Sequence, residues 1–230
     1  MSYQPPFELS HPMLTLTAEI AEKIGEWRAS QNGELVPQLR RGNRIKTIQA
    51  SLAIEQNTLS LEQVTAVLEG KTVLGLPKEI QEVRNAFATY EMLAQWQADS
   101  VDDLLNAHQQ LMQVLVTDAG QFRQSGVGVY QGKQLVHMAP PASQVPRLMA
   151  NLMQWLRETE AHPLIASCAF HYEFEFIHPF MDGNGRIGRA LAEKALHQGL
   201  GHATLISLSS VIGEKKNEYY KALKSGQSSN

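Results

Sequence analysis

His178-Pro179-Phe180-Met181-Asp182-Gly183-Asn184-Gly185-Arg186-Ile187-Gly188-Arg189 gathers an imidazole, a carboxylate, an amide, glycines and two arginines into one short stretch. Few folded segments need that mixture unless they handle a polyphosphate. Gly183 and Gly185 let backbone N–H groups turn toward one anion. Arg186 and Arg189 lie three apart and share a face if the segment is helical. Asp182 is suited to a divalent cation, and His178 to moving a proton near neutral pH. Pro179 ends any helix that runs into His178, so residues 179–184 read as a loop between two helices, the second starting near Gly185. That loop then abuts a helix N-terminus, where unpaired N–H groups and the dipole favour phosphate.

Outward from this stretch the pattern is mainly helical. Thr17 reads as the cap of a helix through Ala29, with Ile20, Ile24 and Trp27 on one stripe. Asn32-Gly33 breaks it, and a second helix runs from Leu35 to Glu55 with a break or kink at Gly42. Ser60 and Gln63 form a capping box for a short helix ending near Gly70. Pro77 opens a long helix, and Ser100 with Asp103 opens the next. Between residues 118 and 145 the character changes. Gly120, Gly126, Gly128 and Gly132 punctuate Val127, Val129, Tyr130, Leu135 and Val136, an alternation that predicts a hairpin closed by Pro140-Pro141. Helices return over Pro146–Glu160, Pro163–Ile177 and Gly185–Gly199, and Gly226–Asn230 reads as a frayed end.

Composition narrows the classes. The chain has 230 residues, 43% of them hydrophobic, so it has ample means to bury a core. A net charge of −3 without a basic tail or a run of like charges argues against nucleic acid as a partner. No apolar stretch reaches membrane-spanning length, and the start lacks a secretory pattern. The lone cysteine, Cys168, excludes an internal disulfide and is expected as a buried thiol; this usage fits a reducing cytoplasm. Other motifs fail. Arg186 and Ile187 occupy positions an EF-hand would give to a ligand and a glycine, and His171 and His178 do not have zincin spacing. His171 reads as packed or hydrogen-bonded, Phe180 as the core anchor of the loop, and Gly188 as a point of close approach.

The 178–189 stretch resembles the signature of the Fic (filamentation induced by cAMP) family, His-x-Phe-x-Asp/Glu-Gly-Asn-Gly-Arg-x-x-Arg, with every fixed position filled. The resemblance implies a Fic-type helical bundle core with a small β-hairpin flap. It further implies transfer of AMP from ATP to a Ser, Thr or Tyr hydroxyl of a target protein, itself included. His178 would be the base. Asp182 would hold Mg²⁺ against the phosphates. Asn184 and the N–H groups around Gly183 and Gly185 would hold phosphate oxygens, and Arg186 and Arg189 would grip the β- and γ-phosphates. Gly120, Arg123, Val127 and Val129 look like the flap that docks the target as an added strand. Tyr219-Tyr220 resembles a pair that the family sets beside the nucleotide; plain helix packing stays equally open for it.

Ser51-Leu52-Ala53-Ile54-Glu55 resembles the family's inhibitory helix, in the subgroup that carries it N-terminal to the core. There Glu55 would reach Arg189 and fill the space of the γ-phosphate; in some relatives that glutamate also serves AMP removal. The family usually has Gly or Asn where this chain has Gln56, which puts the geometry of the helix end in question. The resemblance divides the chain into an N-terminal helical region (1–99, inhibitory helix about 45–57), a core (100–205, flap about 120–140) and a helical tail (206–230). Two alternatives stand: another phosphate-containing donor, or an ATP-sensing module that does no chemistry. Retention of Gly185 favours AMP over simple phosphate. The oligomeric state is open.

Overall fold

The computed structural model describes residues 3–30, 37–131, 134–200 and 207–227. Ten α-helices and one two-stranded sheet make up these residues. The helices are α1 (His11–Ser30), α2 (Pro37–Ile54), α3 (Leu61–Leu68), α4 (Pro77–Met92), α5 (Val101–Met112), α6 (Val145–Glu158), α7 (Pro163–Ile177), α8 (Asn184–Leu200), α9 (Leu208–Glu214) and α10 (Lys216–Gln227). The strands are β1 (Gly128–Gln131) and β2 (Gln134–Met138).

Local chemistry places the boundaries. Ser60 and Gln63 form the reciprocal capping box that opens α3. Pro77 and Pro163 sit at the first turns of α4 and α7, where a missing N–H costs nothing. The Ser100 side chain accepts the Asp103 N–H at the start of α5. The hairpin is antiparallel, with Gly128 opposite Met138, Val129 opposite His137 and Gln131 opposite Gln134. A register shift between Val129 and Tyr130 marks a bulge.

α7 and α8 pack side by side at the centre, flanked by α5 and α6, with α4 against α5. Phe170, Phe174, Ile177, Phe180, Ile187 and Leu191 fill the space between them and are fully or almost fully buried. α2 lies across α4 and α8, and α9 covers it from outside. The C-terminal half of α2 is therefore wedged into the body of the fold.

Several expectations need correction. α1 begins at His11, and Thr17 lies inside it, its hydroxyl donating to the Met13 carbonyl at 2.7 Å. Of the expected core stripe Ile20 is exposed, Ile24 is half-buried, and the Trp27 side chain lies outside the described residues. α2 runs unbroken through Gly42. Cys168 is exposed: α7 turns Ile165, Ala166, Phe170 and Phe174 inward, and Cys168 falls on the other side. The expected break at Asn32-Gly33, Gly132 and the boundary at 205/206 lie outside the described residues.

Candidate active site

α7 ends at His178, which takes the left-handed conformation (φ 49°, ψ 63°) as its N–H donates to the Phe174 carbonyl at 2.9 Å. The loop then folds on itself. Asn184 accepts the Phe180 N–H at 2.9 Å and donates to the Phe180 carbonyl at 2.8 Å. The Asn184 side chain thus closes the loop, and its backbone N–H stays at the open start of α8.

Phe180 is fully buried and stacks on His108, ring centroids 3.6 Å apart and nearly parallel. His108 Nδ1 accepts the Gly120 N–H at 2.9 Å, so Nε2 carries the proton and donates to the Asp182 carbonyl at 2.9 Å. Burial lowers the His108 pKa and keeps it in that neutral tautomer. No local motif marks His108 for this role, because Asp182 and Gly120 are remote from it in the chain. Gly183 has φ +85°, and a Cβ there would meet Met112 Sδ at 2.8 Å, so glycine is required on both counts.

The first turn of α8 opens beyond Gly183. Ile187 N–H makes the first helical bond, to the Gly183 carbonyl at 3.0 Å. The N–H groups of Asn184, Gly185 and Arg186 precede it and form the anion-facing end of the helix. A Cβ on Gly185 would collide with Glu55 Oε1 and come within 2.9 Å of Arg189 Nη1. The Glu55 carboxylate thus lies over the turn that would receive a phosphate.

Both signature arginines are buried and held by carboxylates of the chain. Arg189 Nη2 donates to Glu55 Oε1 at 2.9 Å and to the Ser51 carbonyl at 3.0 Å, and Arg189 Nε donates to Ser51 Oγ at 3.2 Å. The expected contact of Glu55 with Arg189 is therefore present as geometry, and Ser51 adds two further acceptors to it. Burial alone would lower the Arg189 pKa, but Glu55, Tyr219 and Glu175 outweigh it and the pKa rises. Arg186 donates to Asp182 Oδ1 at 2.8 Å and to Glu82 Oε1 at 3.4 Å. Glu82 has no sequence signal, since α4 meets α8 only in the folded chain. Its other oxygen accepts from Asn57, just past the end of α2, at 2.9 Å.

The helix end resolves the question raised by Gln56. Gln56 N–H donates to Ala53 O and Asn57 N–H to Leu52 O, a Schellman motif with Gln56 in the left-handed conformation at φ 72°. The position suits Gly or Asn for this reason; Gln56 holds the same shape at a cost.

His178 is largely buried, and burial above all lowers its pKa to about 4; the nearby Glu175 carbonyl opposes this only in part. The imidazole is therefore neutral at neutral pH, the form a proton acceptor needs. Glu175 Oε1 is buried and faces Gly188, where a Cβ would come within 2.7 Å. Burial raises the Glu175 pKa to about 7, with Arg189 opposing and Glu55 adding to the rise. Tyr219 hydroxyl meets His171 Nε2 at 2.8 Å, and Tyr219 and Tyr220 pack ring to ring at 5.2 Å beside this group. His171 is thus hydrogen-bonded, as expected. Val129 lies in β1; Val127 just precedes it and accepts the Ala139 N–H at 3.2 Å.

The donors fit a metal-bound nucleotide in one respect that matters. Asp182 is half exposed, with Oδ1 turned toward Arg186 and its other oxygen available to a cation. Among the described residues no three acidic, His or Cys side chains converge to form a cage. A single carboxylate suits Mg²⁺, which draws most of its ligands from phosphate and water.

The helical fold thus sets an imidazole and two arginines around a helix N-terminus, an arrangement with the donors to meet a polyphosphate. The Fic/DOC family profile matches residues 98–196. A solved structure of a Fic family protein from Desulfovibrio desulfuricans superposes with a TM-score of 0.92 at 55% identity, covering 99% of this chain and 70% of that one. The chain belongs to the Fic family. Protein adenylyltransferase Fic of Drosophila yakuba is 28% identical over 190 residues, 76% of this chain and 35% of its own length. That of Aedes aegypti is 31% identical over 174 residues, 66% of this chain and 32% of its own length. The chain thus spans about a third of these curated relatives. No helix among the described residues is long and apolar enough to cross a membrane.

Proposed function

We propose that this chain is a self-inhibited protein adenylyltransferase that moves AMP from ATP to a Ser, Thr or Tyr hydroxyl of a target protein. The observation that carries the reading is the neutral His178 at one end of a loop whose other end is an anion-facing helix turn with two arginines. The names of the relatives support the same chemistry.

In this reading the first-turn N–H groups of α8 and the two arginines orient the triphosphate, and Asp182 holds Mg²⁺, which supplies positive charge to the phosphates. The target hydroxyl forms a bond to the α-phosphorus as the bond to the bridging oxygen breaks, and pyrophosphate leaves. The hydroxyl proton passes to His178. Nδ1 of that ring is sealed from solvent, which leaves Nε2 to take it. The β1–β2 hairpin presents the target as an added strand, with Val127 and Val129 beside it. Tyr219 and Tyr220 are our candidates for the adenine side. Glu55 acts as the brake, because its carboxylate stands where the γ-phosphate would meet Arg189.

Intact-mass measurement tests the reading: the Glu55→Gly chain incubated with ATP, Mg²⁺ and a host lysate is expected to gain one AMP or to transfer it. Gain of one phosphate instead, or no change on any protein, would overturn it.

A further inference from the structure

We infer that Arg123 is the positioning residue of His178: it locks the backbone that carries the imidazole and ties that backbone to both feet of the hairpin. Arg123 is 1% exposed, yet its guanidinium donates to carbonyls alone. Nε reaches His178 O at 2.7 Å, Nη1 reaches Ser125 O at 2.9 Å, and Nη2 reaches Pro140 O at 2.5 Å and Ile177 O at 3.2 Å. Its own N–H donates to Pro179 O at 2.9 Å.

A buried guanidinium without a counter-charge needs strong compensation. Here it comes from the C-terminal carbonyls of α7, the negative end of the helix dipole. The reward is local. His178 is left-handed and non-glycine, and it precedes a proline, which disfavours helical backbone before it. Such a conformation persists only where its surroundings over-determine it. Arg123 fixes the carbonyls of Ile177, His178 and Pro179 in turn, which sets both dihedral angles of His178 and hence the direction of its side chain. Ser125 and Pro140 flank the hairpin, so the same fork sets the distance between the docking strand and the imidazole. A lysine offers a point charge with no fork and cannot hold this set.

Two measurements decide the matter. The first needs no activity: titration of the His178 ring by long-range proton–nitrogen NMR on the full chain, assigned by its loss in His178→Ala. In Arg123→Lys the His178 midpoint is expected to rise toward the ordinary value of about 6.5, while His171 stays unmoved. An unchanged midpoint in the folded variant overturns the inference. The second rests on the proposed AMP transfer. In a Glu55→Gly background, Arg123→Lys is expected to lower kcat by about tenfold or more with KM for ATP within about twofold. A raised KM with intact kcat also overturns it. If the Glu55→Gly parent transfers no AMP, the transfer reading fails while the titration still decides the role of Arg123. Arg123→Gln carries the same readouts if the lysine variant does not fold. Failure of both to fold makes Arg123 a plain structural residue and overturns the proposal.

Discussion

Glu55 Oε1 stands 2.9 Å from Arg189 Nη2, directly over Gly185 in the first turn of α8. The residue that directly follows α2 thus lies over the first turn of α8. Arg189 is 2% exposed in its side chain and Glu55 is 35% exposed, so the pair is anchored on one side and open to water on the other. Under the proposed function, that asymmetry suits a contact that gives way to a phosphate.

At an effective dielectric near 20, charges about 4 Å apart attract by about 4 kcal/mol. Exposure of Glu55 reduces this, but about half would still separate bound from released states by more than tenfold. Glu55→Gly is therefore expected to raise ATP-dependent auto-labelling by about tenfold or more, and His178→Ala in that background to abolish it. Radiolabelled-ATP incorporation measures both. Equal labelling with and without Glu55 would remove the brake.

The depressed His178 pKa sets the acid limb of the rate. With the ring neutral down to about pH 4, labelling by Glu55→Gly is expected to hold level from pH 8 to about pH 5.5. A rate that halves near pH 6.5 would show an ordinary histidine instead.

Stability should respond to pH through two opposed sets of groups. His171, His178 and His197 have folded pKa values near 4, all led by burial. Their contribution is present above the unfolded value of about 6.5 and is lost as pH falls toward about 4. Glu175 and Glu193 are raised to about 7 by burial, so their contribution is present below about 4.5 and is lost as pH rises through about 7. Near pH 5 the unfolded chain holds about three protons on the histidines and the folded chain about two on the glutamates. These five groups then contribute a slope of about one proton, and Glu193→Gln is expected to add about one more. Urea unfolding at pH 5 and pH 6 reads the slope; an unchanged or shallower dependence in the variant contradicts the assignment.

Gln56 carries a left-handed backbone at the end of α2. Gln56→Gly removes that cost and is expected to stabilise the fold by up to about 1 kcal/mol. A tighter helix end also holds Glu55 in place, so basal labelling should fall together with the rise in melting temperature. Greater labelling would show that the helix end does not control the glutamate.

Val114 is a second left-handed residue, β-branched, at φ 66°, and it is 87% exposed. Its strain supports no packing. Val114→Gly is expected to gain about 1 kcal/mol net of the glycine entropy, a rise of about 2–4 °C in melting temperature for a chain of this size. Thermal unfolding checks it, and a lower melting temperature would show that Val114 makes contacts worth more than its strain.

Much of the fold was legible from local chemistry. Ser60, Pro77, Ser100 and Pro163 mark helix starts because capping and the missing proline N–H act within one turn. The glycine-punctuated alternation around Val129 marked the hairpin for the same reason. The loop from His178 to Arg189 was legible as an anion site, since its parts are contiguous. Cys168 and Ile20 were misread: periodicity tells which residues share a face, not whether any partner covers that face.

By itself the sequence determined most of the helices, the hairpin and the loop that leads into α8, because each depends on neighbours within a few residues. The contact between Glu55 and Arg189 was expected only through family resemblance. Only the tertiary structure decided that Glu82 holds Arg186, that His108 and Arg123 brace the loop, and that Asn184 turns inward. Those contacts join residues far apart in the chain, and packing alone determines which remote donor meets which acceptor.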